Sequence, residues 1–352
     1  MENSIEIFMP GRLCIFGEHS DWASSYQKLN NQIEDGSVIV TGIEQGIFAR
    51  ASKVENKIIL ITKIDDKNIY EKRINLNIDL LAKQLKYNDF FSYALGTILY
   101  IVKKYNVKGI KLNCYKVTLP IKKGLASSAA ICMLVTRAFN KLYNLNLSIE
   151  EEMEIAYQGE HLAHSQCGKM DQICGFGQKV VNIRFSNSNT EIKEIKVKKD
   201  IFMLFADLRG NKKTRKILSD LNSSYPYAKD YIDEGVQTAL GKINLNIVNK
   251  AIYYINNGEI EKLGQLMTES QVIFDKYVAI KSNELRGEKL HEILGDSNVK
   301  KLALGGKGVG SQGDGSIQFI VRDKVKQKEL KEYLENKYSL EVFYLTINGE
   351  EI

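Results

Sequence analysis

The sequence predicts an α+β protein of two domains, and three observations lead to this prediction. Segments with strand character alternate with segments of helical periodicity along all 352 residues. That length is greater than most single domains reach. The stretch FSNSNTEIKEIKVKKD, which starts at residue 185, turns polar between two predicted strands. We therefore expect domains at 1–190 and 191–352.

The first third of the chain has mostly strand patterns. SIEIF and LCIF predict two short strands separated by Pro10-Gly11, and GSVIVTGIEQGIFARASKV and KIILITKI are rich in β-branched residues. LLAKQLKYNDFFSYALGTILYIVKKYN then places apolar residues at helical spacing. GIKLNCYKVTLP predicts a further strand, so this region already mixes both kinds of element.

The middle of the chain begins with two strongly patterned helices. SSAAICMLVTRAFNKLY is the first, and SIEEEMEIAYQGEHLAHSQ is the second. Ser148 is the expected N-cap of the second helix, and Glu151 completes a capping box. KVVNIRF, EIKEIKV and IFMLFADL follow as predicted strands.

The last part of the chain starts with helices from about 213 to 295. KLALGGKGVGSQGDGSIQFIV then predicts a strand, a glycine-rich loop over 305–316 and a second strand. A helix at 324–337 and the strand LEVFYLTI end the alternation.

Composition excludes several classes of function. Hydrophobic residues make up 44% and charged residues 26%, as in ordinary globular proteins. The net charge is +6, but Lys and Arg are scattered rather than gathered on one segment, so no nucleic-acid partner is expected. A solvated mixed surface explains this charge, and an anionic small-molecule substrate would also suit it.

Cysteine usage and the absence of apolar runs predict a cytoplasmic protein. The five cysteines form no CxxC pair, which favours a reducing compartment, and four histidines are too few to favour a Cys/His metal site. MENSIEIFMPGR has no basic region followed by an apolar one. No apolar run reaches the ~20 residues that span a bilayer, so no membrane partner is expected.

The stretch GLASSAA, residues 124–130, follows a strand and opens a helix. Small side chains let a ligand come close to the backbone, and the unpaired amides and dipole of a helix start bind phosphate. The alternative is close helix–sheet packing, and both interpretations stay open from this stretch alone. It is not a Walker A loop, because Gly-Lys-Ser/Thr is missing.

A second candidate is GRLCIFGEHSDW, where Glu18, His19 and Asp21 crowd at the end of an apolar strand. Carboxylates there would accept hydrogen bonds from sugar hydroxyls, and a histidine would donate one. An exposed turn with a capping Asp is the alternative. Arg12 on the preceding strand is either a buried cation that serves an anion or a surface arginine.

The third candidate is GEHLAHSQCGKMDQICGFG, with Glu160 near a helix end and Asp171 in an apolar, glycine-flanked setting. A carboxylate in such a setting is costly unless it is paired or functional, so Asp171 is a candidate general base. Its alternative role is an N-cap. The glycine-rich loop at 305–316 is either a phosphate nest or a flexible hairpin.

Together these stretches resemble the GHMP kinase superfamily, which comprises galactokinase, homoserine kinase, mevalonate kinase and phosphomevalonate kinase. PGRLCIFGEHSD is similar to its first motif, PIKKGLASSAA to its second, and LALGGKGVGSQGDGS, more loosely, to its third. GEHSD and CGKMDQ are similar to the galactokinase-like sugar kinases in particular.

The resemblance implies a role for each candidate residue. Asp171 would be the catalytic base facing a sugar hydroxyl, and Arg12 would sit beside it, keep it ionised and stabilise phosphoryl charge. The implied sugar contacts are Glu18, His19 and Asp21, together with Asp171. Mg²⁺ would be held by Ser128 and Glu160. The implied ATP contacts are Gly124, Leu125, Ala126, Ser127, Ser128, Ala129, Gly308 and Gly310.

The implied protein is an ATP-dependent kinase that phosphorylates a hydroxyl of a sugar or sugar derivative, with the anomeric hydroxyl expected. The alternatives are a mevalonate-type alcohol kinase and a catalytically silent relative that senses ATP and sugar. The implied fold has an N-terminal ATP-binding domain with a left-handed βαβ unit, against the usual hand, and a ferredoxin-like C-terminal domain. A monomer or homodimer is expected.

Two departures from the family pattern concern the sugar site and the phosphate contacts. Galactokinases continue the first motif with Asp-Tyr-Asn-Gly-Gly, whereas this chain has Asp21-Trp22-Ala23-Ser24-Ser25. The third motif has Lys307, Gln312 and Asp314 where small residues are common. The first change leaves the identity of the sugar open, and the second predicts different phosphate contacts in the third motif.

Overall fold

The computed structural model describes residues 4–63, 68–119, 125–165, 168–186, 189–210 and 213–350. They fall into two compact units: unit one comprises Met1–Arg12 and Gly42–Gln178, and unit two comprises Leu13–Thr41 and Lys179–Ile352. Residues 13–41 therefore belong to unit two, so the two units are not separated by a single boundary near residue 190. Two long strands, Ser4–Phe16 and Gly36–Lys53, each have one end in unit one and the other end in unit two.

The described strands are β1 (Ser4–Phe16), β2 (Gly36–Lys53), β3 (Lys57–Lys63), β4 (Ile69–Asn75), β5 (Ile110–Val117), β6 (Val180–Ser186), β7 (Asn189–Glu194), β8 (Ile201–Asp207), β9 (Ala303–Gly308), β10 (Ser316–Val321) and β11 (Glu341–Ile347).

The described α-helices are α1 (Ser20–Ala23), α2 (Ile78–Leu85), α3 (Ser92–Lys104), α4 (Ser127–Tyr143), α5 (Ile149–Leu162), α6 (Thr214–Asn222), α7 (Tyr231–Thr238), α8 (Asn244–Asn257), α9 (Ile260–Tyr277), α10 (Glu288–Gly295), α11 (Ser297–Leu302) and α12 (Lys324–Tyr338). Short 3₁₀ segments lie at Ser24–Lys28, Asp171–Phe176, Ala279–Lys281 and Asn283–Leu285, and a π-helical turn lies at Ala239–Ile243. In these parts of the chain no helix is long and apolar enough to cross a membrane.

Unit one packs α3, α4 and α5 together beside the strand order β4-β3-β5-β2. β3 and β5 run parallel, with Leu60 opposite Leu112, and the other neighbours in this order are antiparallel. α3 and α5 approach closely because Gly96 faces Gly159: a Cβ at Gly159 would lie 2.4 Å from Cα of Thr97. This contact sets the position of the end of α5, which carries Glu160.

Unit two contains an antiparallel sheet in the order β11-β8-β10-β9. Numbered along the chain from β8, that order is 4-1-3-2, with helices between β8 and β9 and again between β10 and β11. This is the β-α-β-β-α-β arrangement of ferredoxin-like domains, as predicted. One face of the sheet packs on α10, α11 and α12 through a cluster that includes Leu204, Phe319 and Leu330. The first half of β2 pairs with β6, and β6 pairs with β7.

Several elements differ from the sequence prediction for identifiable reasons. β1 is one strand that passes through Pro10-Gly11 rather than two. The long helical stretch divides into α2 and α3, because Asp89 accepts hydrogen bonds from the amides of Phe91 and Ser92 and starts a new helix. β4 was not predicted, since its side chains are largely exposed and lack the apolar alternation of a half-buried strand.

The sequence predicts a glycine-rich loop over 305–316, but in the structure the loop begins later. Its first four residues belong to β9, and the turn occupies the residues between β9 and β10. A Cβ at Gly305 would lie 1.7 Å from the carbonyl oxygen of Gly264 on α9. Close approach of a helix backbone therefore accounts for that glycine.

Candidate functional site

A buried guanidinium faces the candidate base in unit one. β1 carries Arg12, and Asp171 is the first residue of a 3₁₀ turn. Nε of Arg12 donates to Oδ1 of Asp171 at 3.1 Å, and Nη2 donates to the same oxygen. The Arg12 side chain is 6% exposed and that of Asp171 is 20% exposed. Asp171 is therefore paired with a permanent cation while part of its side chain still reaches solvent.

A second arginine, which sequence reasoning missed, fixes the segment that carries Asp171. Arg137 on α4 donates from Nε and Nη2 to Oε2 of Glu152 on α5, at 2.9 and 2.6 Å. Its Nη2 also donates to the carbonyl oxygen of Gly175 at 2.9 Å, within the 3₁₀ turn. Asn140 donates to the other oxygen of Glu152 at 2.7 Å. A lone arginine inside the apolar run ICMLVTRAFN was the available signal.

The start of α4 has the properties of a phosphate cradle. Ala126 precedes the helix in the left-handed conformation, with φ of 56°, and no described side chain caps the helix start. The backbone N–H of Arg12 donates to the carbonyl oxygen of Leu125 at 3.1 Å, which ties this start to the Arg12–Asp171 pair. The uncapped amides fit a polyphosphate.

Packing explains the other half of GLASSAA. Ala129 and Ala130 are fully buried, whereas Ser127 and Ser128 are half-buried. The two interpretations of the stretch therefore apply to different residues of it. Gly124 lies outside the described residues.

The predicted metal ligands are Ser128 and Glu160. Glu160 is buried on α5, and its two carboxylate oxygens accept hydrogen bonds from Ser165 Oγ at 3.2 Å and Gln172 Nε2 at 2.9 Å. Across the described ranges no group of three His, Cys, Asp or Glu residues forms a metal cage. A hydroxyl and a carboxylate are the hard oxygen donors that Mg²⁺ takes in proteins, alongside phosphates and water.

In unit two, the candidate sugar contact Glu18 forms a buried ion pair. Gly17 precedes it with φ of 99°, and a Cβ there would lie 2.2 Å from the carbonyl oxygen of Ser37, so glycine is required. Oε1 of Glu18 accepts a hydrogen bond from Nζ of Lys307 on β9. Side-chain exposure is 5% for Glu18 and 1% for Lys307. Sequence reasoning named Lys307 only as a departure from the family.

His19 is also buried and belongs to an aromatic cluster. Nε1 of Trp22 donates to Nδ1 of His19 at 3.0 Å, so the neutral ring carries its proton on Nε2. The His19 ring stacks on Phe274 with centroids 6.0 Å apart. Asp21 lies half-buried in the first turn of α1. Trp22 is therefore engaged with a predicted sugar contact.

Gly308 and Gly310 of the third motif are both predicted to contact ATP, but their surroundings differ. The amide of Gly308 donates to Oε1 of Gln271 at 2.8 Å, so in this structure that amide is already satisfied. Gly310 has φ of 63° and lies in the turn that follows β9. Nearby, Oδ1 of Asp207 accepts from the amide of Arg209 at 3.0 Å, which is a local turn contact.

Two buried thiols of unit one, those of Cys114 and Cys174, have a raised pKa. Burial, reinforced by the negative charge of Asp171, raises the pKa of Cys174 to about 12. Burial also raises the pKa of Cys114 to about 12. Neither thiol is thus a nucleophile, because the thiolate is the reactive form.

Comparison with known proteins identifies a domain family in the middle of the chain. Residues 92–178 match the family model described as the GHMP kinases N terminal domain, a span that holds α4, Glu160 and Asp171. A galactokinase from Pyrococcus furiosus is 24% identical over 382 aligned positions, which cover 98% of this chain and 97% of that protein.

Solved structures share the fold over nearly the whole chain. Lactococcus lactis galactokinase complexed with galactose has a TM-score of 0.74 at 18% identity and covers 99% of this chain and 94% of its own. Methanococcus jannaschii mevalonate kinase has a TM-score of 0.72 at 22% identity and covers 99% of both chains.

These matches give the class. Residues 92–178 match the GHMP kinase N-terminal domain, and the chain has the two-domain α+β fold of the solved galactokinase and mevalonate kinase. It is an ATP-dependent phosphotransferase with an alcohol group as acceptor.

Proposed function

We propose that this chain is a sugar kinase that transfers the γ-phosphoryl group of ATP to a sugar hydroxyl, with the anomeric hydroxyl as acceptor. The observation that carries the proposal is the Arg12–Asp171 pair, tied through Leu125 to the uncapped start of α4. A base, a cation and a phosphate cradle are the parts that phosphoryl transfer needs. The sugar is favoured because the Pyrococcus furiosus relative is a galactokinase.

Phosphoryl transfer proceeds through a loose transition state, so catalysis is mainly positioning and charge neutralisation. The first-turn amides of α4 would hold phosphate oxygens, and the helix dipole favours their negative charge. Arg12 adds a fixed positive charge that cannot be lost at working pH. Mg²⁺, held by Ser128 and Glu160, would neutralise further phosphate charge when bound.

Asp171 is the proposed general base. As the sugar oxygen bonds to the γ-phosphorus, its proton passes to the Asp171 carboxylate, and the bond to the bridging oxygen breaks to release ADP. Arg12 holds Oδ1 through two N–H groups, which fixes the orientation of the carboxylate. Glu18, His19 and Asp21 are the proposed contacts to the other sugar hydroxyls.

A mevalonate-type alcohol kinase is the second candidate. It is supported by the TM-score of 0.72 with Methanococcus jannaschii mevalonate kinase, close to the 0.74 with the galactokinase. The replacement of Tyr-Asn-Gly-Gly by Trp22-Ala23-Ser24-Ser25 also removes part of the galactokinase pattern.

A coupled assay of ADP release separates these candidates. The protein is incubated with ATP and Mg²⁺ and with each of a panel of hexoses, hexose derivatives and mevalonate, and the product is examined by ³¹P NMR. We expect turnover with a sugar and a phosphorus resonance coupled to the anomeric proton. Turnover with mevalonate alone would replace the proposal by the second candidate. ATP binding without turnover on any member would indicate a silent sensor.

A further inference from the structure

The 3₁₀ turn Asp171–Phe176 is joined to the helices of unit one at two points. Near its start, Nε2 of Gln172 donates to Oε2 of Glu160 on α5 at 2.9 Å. Near its end, the carbonyl oxygen of Gly175 accepts from Nη2 of Arg137 on α4 at 2.9 Å. The proposed general base is the first residue of this turn, so its position depends on how the turn is held.

The turn also packs directly on α4. A Cβ at Gly175 would lie 2.4 Å from Cε of Met133 and 3.5 Å from Nη2 of Arg137. Met133 and Arg137 are one helical turn apart and lie on the same face of α4. That face therefore supports the turn by packing and by a hydrogen bond.

The same helix begins at the proposed phosphate cradle. α4 starts at Ser127 with no described side chain that caps its first amides. Arg137 lies about 15 Å further along the helix axis, at a rise of about 1.5 Å per residue. Because the helix connects the two places, the contact of Arg137 with the turn fixes the proposed base relative to the cradle.

The buried pair of Arg137 and Glu152 is not needed for stability as such. Their side chains are 18% and 4% exposed, and for such pairs the cost of desolvation largely offsets the attraction. Apolar residues could fill the same space, but they could not donate to the Gly175 carbonyl oxygen. The guanidinium does both, since Nη2 reaches Oε2 of Glu152 at 2.6 Å as well as Gly175.

We propose that Arg137 is a positioning residue for phosphoryl transfer: by joining the turn to α4, it holds the Asp171 carboxylate at a fixed place relative to the start of that helix. Arg137 acts through the backbone at Gly175 rather than on the substrate. This inference rests on the proposed kinase function, in which Asp171 is the general base.

Arg137→Met tests the inference through the split between kcat and KM. A small displacement of the base is enough to slow transfer, so kcat should fall by about 10–10²-fold. The KM for ATP should stay within about twofold, because the amides at the start of α4 are unchanged. The variant should also have a lower urea unfolding midpoint, since Glu152 is left buried without its cation.

The double variant Arg137→Met/Glu152→Met separates positioning from folding. It removes both charges, so the unfolding midpoint should return close to that of the native protein. Asn140 loses its contact with Glu152 but keeps two hydrogen bonds with the backbone of Leu147. The kcat should stay low, because Gly175 still lacks its donor. Native values of both the midpoint and kcat would show that Arg137 serves the fold alone and would overturn the inference.

Hydrogen exchange provides a readout that does not depend on activity. In the double variant, amides of residues 171–176 should exchange at least about threefold faster than in the native protein, as measured by mass spectrometry of their peptides. Arg50→Met is the matched control: it also breaks an arginine–glutamate pair of unit one, but that pair, with Glu6, is 59% and 60% exposed. It should change neither the exchange nor kcat. Unchanged exchange of the turn in the double variant would contradict the proposed anchoring.

The outcomes separate this inference from the proposed function. If the native protein phosphorylates a sugar and both Arg137 variants keep kcat within about twofold, Arg137 does not position the base and the kinase proposal stands. If the native protein shows no turnover with any acceptor, both the kinase proposal and the positioning role fall.

Discussion

At the scale of single residues, Asp171 combines a fixed cationic partner with residual exposure. Both Nε and Nη2 of Arg12 reach one oxygen, Oδ1, so the pair has a defined geometry. By itself, the Arg12–Asp171 pair would indicate only a contribution to the stability of the fold. Its tie to the start of α4 through Leu125 is what relates it to phosphate chemistry.

Asp171→Asn should abolish most turnover and keep the fold. The amide keeps an oxygen that accepts from Arg12, but it cannot take a proton, so kcat should fall by about 10²–10⁴-fold. The measurements are the coupled ADP assay and a urea unfolding curve. Glu55→Gln, which breaks an exposed pair with Lys108 in the same unit, is the control and should change neither. A near-native rate in Asp171→Asn would remove its role as base.

His291 predicts a pH dependence of stability. Burial opposes its charge, but the hydrogen bond to Asp275 Oδ2 at 2.9 Å and the contact with the Gly287 carbonyl oxygen at 2.7 Å raise the pKa of His291 overall. A raised pKa in the folded state stabilises the protein fully below the unfolded value of about 6.5. That contribution is lost as pH rises through the folded value.

His291→Gln should therefore remove the part of the stability that declines as pH rises from about 6.5. Urea unfolding midpoints measured from pH 5 to 9 for both proteins provide the test. Parallel curves for the native protein and the variant across that range would show that His291 does not contribute.

At the scale of elements, the contact between α3 and α5 fixes the helix that carries Glu160. A Cβ at Gly159 would lie 2.4 Å from Cα of Thr97 and 2.5 Å from its Oγ1. A backbone atom cannot rotate away, so the two helices would have to separate. The helix start is secured as well, since Ser148 and Glu151 form the reciprocal capping box predicted from the sequence.

Gly159→Ala should lower the free energy of unfolding by about 2 kcal/mol. The steric cost is about 3 kcal/mol, against a gain of about 1 kcal/mol in helix propensity. Gly295→Ala is the matched control, because among the described residues nothing lies within 4 Å of a Cβ added there. Urea unfolding measures both. Equal stability of the two variants would contradict close packing at Gly159.

At the scale of the whole molecule, thiol accessibility reports on global unfolding. The thiols of Cys14, Cys114, Cys132 and Cys174 are buried, and burial raises the pKa of Cys114 and of Cys174 to about 12. We expect iodoacetamide to label Cys114 and Cys174 only after denaturation, as read by peptide mass mapping. Labelling of either thiol in the native protein at pH 8 would show that the unit opens locally.

Much of the fold, but only part of the candidate site, could be predicted from the sequence. α4, α5 and α12 were predictable because apolar periodicity and caps are local signals. The ferredoxin-like order followed from the family resemblance. The Glu18–Lys307 pair was not predictable, since a contact across 289 positions leaves no local pattern. The sequence also could not show that the amide of Gly308, a predicted ATP contact, donates to Gln271 in the structure.

The central claim is that a nucleotide's phosphates rest on the start of α4, next to Asp171. A crystal structure with Mg²⁺ and a non-hydrolysable ATP analogue tests it most directly. We expect phosphate oxygens within hydrogen-bond distance of the amides of residues 127–129, with the terminal phosphorus on the side of the Asp171 carboxylate. Phosphates bound elsewhere, with those amides in contact only with water, would contradict it.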